Sequence, residues 1–403
     1  MSQPTGQELP TTAFRAVRGA RNATLLVFAV NGMNFASWAS RIPEVKQALD
    51  LSAGELGTVL LAVSAGSLLG LPLSGRIAQR FGVARAMLGG IVVACSGVLL
   101  AAAGIDAFTS RWMLMAGLFL TGLGMGVWDV SMNLEGTAVE QGLRRAIMPW
   151  FHAAFSGGTV LAALLGVGVI ALGVPIWAHL AVAQVLCLLA GLWAARRFLP
   201  VGAQTEEHED APALARSPWT EPRTLLIGVV ALAAAFTEGT ANDWLAVAFV
   251  EGHQLPHWAG VLALAVFLTA MTAGRVLGTG LLDRHGRVAV LRGLLALAAV
   301  GCALVVFGGP VLAFVGAALW GVGASMGFPV GMSAAADDPR GAPQRISVVS
   351  TIGYTAFLAG PPLLGWLGDH TGVLHALLAV GAMLVVAFFV TPAADPQRAL
   401  RRG

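Results

Sequence analysis

Glu238, Asn242 and Asp243 carry polar chemistry into an apolar run. The stretch TLLIGVVALAAAF (224–236) passes through TEGTANDW (237–244) and on into LAVAFV (245–250). A charge near a bilayer centre costs at least ~2.5–3.5 kcal/mol on insertion scales, so such residues face a cavity or a partner. Glu238 has two readings. It is a proton-titrating or solute-binding carboxylate, or it is an acid held protonated or hydrogen-bonded inside a helix bundle. The first makes it the leading candidate for proton coupling. Counting from Arg223 at ~1.5 Å per residue, it lies past the midplane toward the outside. Asn242 is one turn on and shares its face. Asp243 is rotated by ~100° from Asn242 and lies nearer the outer surface. It reads as an outer gate or as a headgroup-level charge.

A second polar stripe lies near the start. Asn31, Asn34, Trp38 and Arg41 are spaced by three, four and three residues, which puts them on one helix face. Asparagine both donates and accepts, and Trp38 offers a stacking plane, so the stripe suits a hydroxyl- or carboxyl-bearing solute. Amide bonding between helices with an interfacial Trp–Arg anchor is the competing account. Asp129 and His152 form either a proton relay or a gate closed by Arg80 or Arg145. Arg275 compensates a buried acid or snorkels to the surface. Trp320 and Tyr354 complete an aromatic wall or simply pack.

No other chemistry competes. The runs GLGMG (122–126) and GVGASMG (321–327) lie inside apolar segments with no preceding strand, so close helix packing explains them. Cys95, Cys187 and Cys302 lie far apart in apolar runs, without metal spacing. No enzyme, metal or cofactor is expected.

The elements that position these residues follow from composition. The chain has 403 residues, 57% hydrophobic and 11% charged, far less charged than soluble domains. Apolar runs of bilayer-spanning length recur throughout. The start, MSQPTGQELPTTAFRAVRGARN, has no short apolar core with a cleavage site, so no cleaved leader is expected. Twelve spans are expected, at 22–41, 54–75, 84–104, 111–134, 149–172, 177–198, 224–250, 259–282, 288–308, 311–334, 347–367 and 373–391. Residues 1–21 and 392–403 read as tails, and the Pro- and Glu-rich segment 199–223 as a linker between two six-span halves. Alternate loops hold twenty arginines, against Arg41, Lys46 and Arg111 on the other side. The positive-inside rule then places both termini in the cytoplasm. The basic residues lie between apolar runs and reflect a lipid bilayer partner, with no nucleic acid implied. A monomer is expected.

The halves repeat. Gln79-Arg80-Phe81-Gly82 after span two answers Asp283-Arg284-His285-Gly286 after span eight. Gly122-x-Gly124 in span four answers Gly321-x-Gly323 in span ten. Phe155 and Gly166 are spaced as Tyr354 and Gly365 are, and Asn31-Gly32 answers Glu238-Gly239. Such duplication indicates alternating access, with a site between the halves.

The loop Gly75-Arg-Ile-Ala-Gln79-Arg80-Phe-Gly82-Val-Ala-Arg85 resembles the signature Gly-x-x-x-Asp-Arg-x-Gly-x-x-Arg of the major facilitator superfamily, and Asp283-Arg284-His-Gly286 matches its core. The resemblance covers residues 20–391. It implies an all-α integral membrane fold of twelve transmembrane helices in two pseudo-symmetric six-helix bundles. It also implies a cytoplasmic gate at Gln79, Arg80, Asp283 and Arg284, with Arg80 on Asp129, and an outer gate of Arg41 with Asp243, since spans one and seven face each other in the family. Two positions depart from the signature: Gln79 stands for Asp, and Thr279 for the leading Gly of the second copy. A neutral Gln79 loses a charge–dipole contact with span eleven of ~0.3–1 kcal/mol.

The motifs Trp38-Ala-Ser-Arg41-Ile-Pro43, Trp128-Asp129-Val-Ser-Met-Asn133, Phe151-His152-Ala-Ala-Phe155-Ser and Glu238-Gly-x-x-x-Asp243-Trp244 resemble a bacterial subgroup that includes the rhizopine-associated membrane protein MosC. The expectation is a secondary transporter of a small polar solute, working by alternating access and coupled to protons. Asn31, Asn34, Trp38, Glu238, Asn242, Trp320 and Tyr354 would line its site, and Glu238, Asp129 and His152 would handle protons. Span five lacks the Gly-Pro signature of the family's drug–proton antiporters. Amphipathic drug or metabolite efflux is the alternative in kind, and a non-transporting receptor or scaffold on the same fold is the third.

Overall fold

A computed structural model describes residues 11–145, 147–199, 217–338 and 341–396. Most of the expected linker, the first ten residues and the last seven lie outside the described residues. The described chain is α-helical with short π and 3-10 turns, and no strand occurs in it. The spans are, in order, Thr11–Ala39, Ala53–Phe81, Val83–Asp106, Arg111–Leu143, Met148–Ala171, Ile176–Ala195, Pro222–Thr240 with two following π-turns, His257–Leu277, Arg287–Phe307, Gly309–Ala324 continued by Gly327–Ala335, Ala342–Thr371, and Val373–Ala376 continued by Leu378–Val390. Eleven of these elements are long and apolar enough to cross a membrane. The first helix has the length, at 29 residues, but Arg15, Arg18 and Arg21 and three asparagines lower its apolar character. It packs against spans five and six, as span seven packs against eleven and twelve, so it fills the first place of a two-fold-related set.

Several helices outrun their apolar stretches. Span four extends to Leu143 and span eleven begins at Ala342, well beyond the hydrophobic windows that mark them in sequence. Polar residues at such ends lie outside the hydrocarbon layer, where helix costs nothing in desolvation.

Small residues let the helices meet. A methyl group at Gly122 would sit against the Val63 carbonyl, and one at Gly321 against the Phe267 carbonyl. These equivalent positions bring span four onto span two and span ten onto span eight. Gly124 and Gly323 do the same toward spans three and nine, through Ala94 and Ala298. The paired Gly-x-Gly runs are thus backbone-contact points, the usual driving geometry for packing within lipid.

The halves meet through two equivalent pairs, span two on eleven and span five on eight. Specific contacts cluster at the arginine-poor end. Lys46 Nζ pairs with Glu251 at 2.5 Å, and Gln47 Oε1 lies 2.6 Å from His257 Nε2. Asp369 accepts from Gly54 N at 3.0 Å and from Ser52 Oγ at 3.2 Å, at the first turn of span two. Ser52 also builds a capping box with Glu55, so this helix start is doubly fixed. At the arginine-rich end, Arg223 and Arg287 pair with Asp337, and Arg345 with Glu221, all within the second half.

Candidate functional site

A cavity of about 270 Å³ lies between the halves, built from spans one to four on one side and spans seven and eleven on the other. Its size is at the small end for a small-molecule site. Asn34 and Trp38 enter from span one, Asn242 and Asp243 from span seven, and Tyr354 from span eleven. Phe35, Val63, Met125 and Phe357 supply much of the apolar wall.

Span seven reaches the cavity through an irregular backbone. After Thr240 the helix widens into π-turns at Ala241–Leu245 and Ala248–Gly252. A π-turn closes its hydrogen bond one residue later than an α-turn, so successive side chains rotate by less than the α-helical step of ~100°. Asn242 and Asp243 therefore face the same cavity.

The amides are unmatched. Asn34 is 2% exposed, and neither Nδ2 nor Oδ1 has a partner among the described residues. Asn242 is 8% exposed and its Oδ1 is likewise unpartnered. A buried polar group left unmatched costs about 1–3 kcal/mol, so the arrangement is suited to a ligand or water that completes it. The Asp243 carboxylate makes no hydrogen bond or ion pair among the described residues. The neighbouring hydroxyls are engaged: Ser64 donates to the Phe357 carbonyl across the halves at 2.7 Å, and Ser67 to the Gly122 carbonyl at 3.2 Å.

Other expected site residues lie elsewhere. Asn31 is buried with Nδ2 3.6 Å from Met132 Sδ, facing span four. Glu238 does not line the cavity; its Oε2 is 2.8 Å from Arg275 Nη2, and Arg275 Nε donates to the Ser325 carbonyl at 3.1 Å. Trp320 is fully buried edge-on to Phe267, between spans ten and eight. Asp129 and His152 are exposed on the arginine-rich side of the site and do not bond to each other. His152 meets Phe28 edge-on at 5.3 Å.

The expected gates are also placed differently. Arg41 does not meet Asp243. It is fully buried, with Nη1 2.6 Å from Glu44, Nε 3.0 Å from His179 Nδ1 and Nη2 2.9 Å from the Val174 carbonyl. Its side chain turns toward span six and the loop before it, where three acceptors match three of its donors. Gln79, Arg80, Asp283 and Arg284 are exposed, and none joins the halves by an ion pair among the described residues. Arg80 stacks over Phe81, 5.6 Å from the ring centre, and does not pair with Asp129. Asp369, absent from the sequence-based candidates, instead ties span eleven to span two.

The sequence matches the profile of the Major Facilitator Superfamily over residues 24–341 and 262–402. The chain belongs to the major facilitator superfamily. It is 31% identical over 368 residues to an uncharacterised MFS-type transporter of Yersinia pestis, covering 90% of this chain and 92% of that one. It is 30% identical to the membrane protein MosC of Rhizobium meliloti, covering 90% and 87%. In fold it is similar to a bacterial homologue of the human lysosomal transporter Spinster, in an inward-facing and unoccupied conformation, with a TM-score of 0.75 at 13% identity over 96% of this chain and 98% of that one. It is also similar to the nucleoside transporter NupG, with a TM-score of 0.72 at 14% identity over 93% and 99%.

Proposed function

We propose that this major facilitator protein is a proton-coupled secondary transporter that carries a small solute through the central cavity by alternating access. The observation that carries the reading is Asn34, whose buried amide faces the cavity with neither polar atom matched. A structural amide inside a membrane bundle finds a helix partner, whereas a binding amide keeps its atoms for the solute. Asn242, across the interface on span seven, supports it in the same way.

The arginine-rich face is the cytoplasmic one, so both termini are cytoplasmic and the site is reached from the cytoplasm of a bacterial cell. The protein works as a monomer, since the site is complete within one chain. Gln79, Arg80, Asp283 and Arg284 would meet only when that face closes. Asp129 and His152 flank the path by which protons reach the site.

Proton coupling is assigned to Asp243. Glu238 is already paired with a guanidinium 2.8 Å away and does not line the cavity. Asp243 faces the cavity with no basic partner among the described residues, so a proton or a solute must neutralise it when the cavity closes. The leading coupling role therefore moves from Glu238 to Asp243. The apolar wall of Phe35, Val63, Met125 and Phe357 favours a solute with an apolar part, which brings amphipathic efflux forward over a polyol.

The test is flux in proteoliposomes under an imposed pH gradient, with the solute chosen by a thermal-shift screen of amines, acids, sugars and polyols. Asp243→Asn should abolish gradient-driven flux. Undiminished gradient-driven flux in that variant would remove Asp243 from the role.

A further inference from the structure

We propose that the solute taken by this cavity is an amphipathic organic amine, bound as its ammonium ion on Asp243. The inference deepens the transporter reading and rests on it. Three observations carry it.

Charge comes first. Among the described residues, Asp243 is the one charged side chain lining the cavity. The guanidiniums of Arg275 on span eight and Arg41 at the end of span one are committed, Arg275 to Glu238 and the Ser325 carbonyl, and Arg41 to Glu44, His179 and the Val174 carbonyl. A carboxylate solute would meet a like charge and no cation. An ammonium solute would supply the missing counter-charge.

Hydrogen-bond balance points the same way. Ser64, Ser67 and Thr121 line the cavity, yet each hydroxyl proton is already donated to a backbone carbonyl, of Phe357, Gly122 and Gly117. What these hydroxyls still offer is lone pairs. Asn242 Oδ1 and Asn34 Oδ1 are unmatched acceptors, and the Asp243 carboxylate accepts only. Asn34 Nδ2, Asn242 Nδ2, Trp38 Nε1 and the Tyr354 hydroxyl are donors without a partner among the described residues, fewer than the lone pairs that the carboxylate, the two amide oxygens and the three hydroxyls present. The lining thus has an excess of acceptors. Each hydroxyl of a polyol brings one donor with two lone pairs, whereas an ammonium brings three donors and no acceptor.

Shape completes the argument. Four aromatic side chains line the cavity with the acid, Trp38 and Phe35 from span one and Tyr354 and Phe357 from span eleven. Rings of this kind attract a cation over their faces and receive the apolar body of the same molecule beside them. A small inorganic cation would leave that wall unmatched.

The experiment uses the full-length protein purified in detergent at neutral pH. Probes are aralkylamines from benzylamine to phenylbutylamine, each beside the alcohol and the carboxylate on the same carbon skeleton. Binding is read by thermal shift and by quenching of tryptophan fluorescence. At least one amine should bind about tenfold or more tighter than its alcohol, and the carboxylates should not bind. Asp243→Asn should erase the preference while leaving alcohol binding in place, and Asp243→Glu should keep it. The proposal is overturned if no amine binds, if an alcohol or carboxylate matches every amine, or if the preference survives in Asp243→Asn. Alcohol binding that depends on Asn34, without an amine preference, would sink the charge assignment and leave the cavity reading standing. Amine binding unaffected by Asn34→Leu and Asp243→Asn alike would remove the cavity reading as well.

Discussion

Arg275 Nη2 lies 2.8 Å from Glu238 Oε2, and the same guanidinium holds the Ser325 carbonyl at the break in span ten. One arginine thus fastens spans seven, eight and ten. Both side chains are roughly a quarter to a third exposed, so the pair is softer than a dry interior one. Glu238→Gln and Arg275→Met should each destabilise the protein by about 1–3 kcal/mol, and the double variant by less than the sum. Thermal unfolding in detergent checks this. Glu238→Gln should also retain gradient-driven flux; lost flux with unchanged stability would return the coupling role to Glu238.

Asn34 predicts an opposite pattern. Asn34→Leu removes a buried amide that has no partner, so the unliganded protein should hold or gain stability, by up to about 1–3 kcal/mol. Solute binding should weaken about tenfold or more, the effect of losing a matched hydrogen bond at a buried site. A clear fall in the unfolding temperature without ligand would mean that Asn34 has a structural partner.

Asp369 joins the halves at the first turn of span two, where its charge also meets the positive end of the helix. Asp369→Asn should weaken the arginine-poor seal by about 0.3–1 kcal/mol, which shifts the open population roughly two- to fivefold. A cysteine at Ser64, labelled from that side with an impermeant thiol reagent, reports the change. Labelling no faster than in the parent would show that the seal does not rest on Asp369.

Glu221 predicts a pH dependence at the arginine-rich end. It lies just before span seven, where Arg345 donates to both its oxygens, at 2.7 and 3.0 Å, and Thr224 Oγ1 at 2.8 Å. The hydrogen bonds from Arg345 hold its carboxyl below the ordinary glutamate value of 4.5. A depressed folded-state value stabilises the fold above the unfolded value, and that stability is lost as pH falls through the folded one. Glu221→Gln should therefore be less stable than the parent at neutral pH and indistinguishable from it in strong acid. Unfolding curves across acid pH would decide, and a gap that persists in acid would contradict the assignment.

Most of the architecture was legible in the chain. Apolar runs of span length, the alternating arginine loops and the repeated Gly-x-Gly and Arg-x-Gly motifs mark helices, order and duplication, because a bilayer admits few other ways to satisfy a backbone. The polar stripe of span one was legible too: Asn34 and Trp38 share a helical face, and both reach the cavity. Trp320 was not, because a tryptophan lining a cavity and one packed edge-on to Phe267 have the same signature in an apolar run.

Tertiary structure decided the charges. Nothing in sequence says that Arg275 meets Glu238, 37 residues away, or that Arg41 turns to His179, 138 residues away. A long side chain can reach any partner that packing brings within several ångströms. A helical side chain also leans toward its own N-terminus, which points Glu238 back toward the arginine-rich half. The π-turns of span seven depend on neighbours and left no mark in FTEGTANDW. They turn Asp243 into the cavity, where an α-helical count set it at another angle. The sequence by itself determined a duplicated membrane bundle with acids in span seven. Only the packed structure decided which acid is held by an arginine and which one faces the cavity.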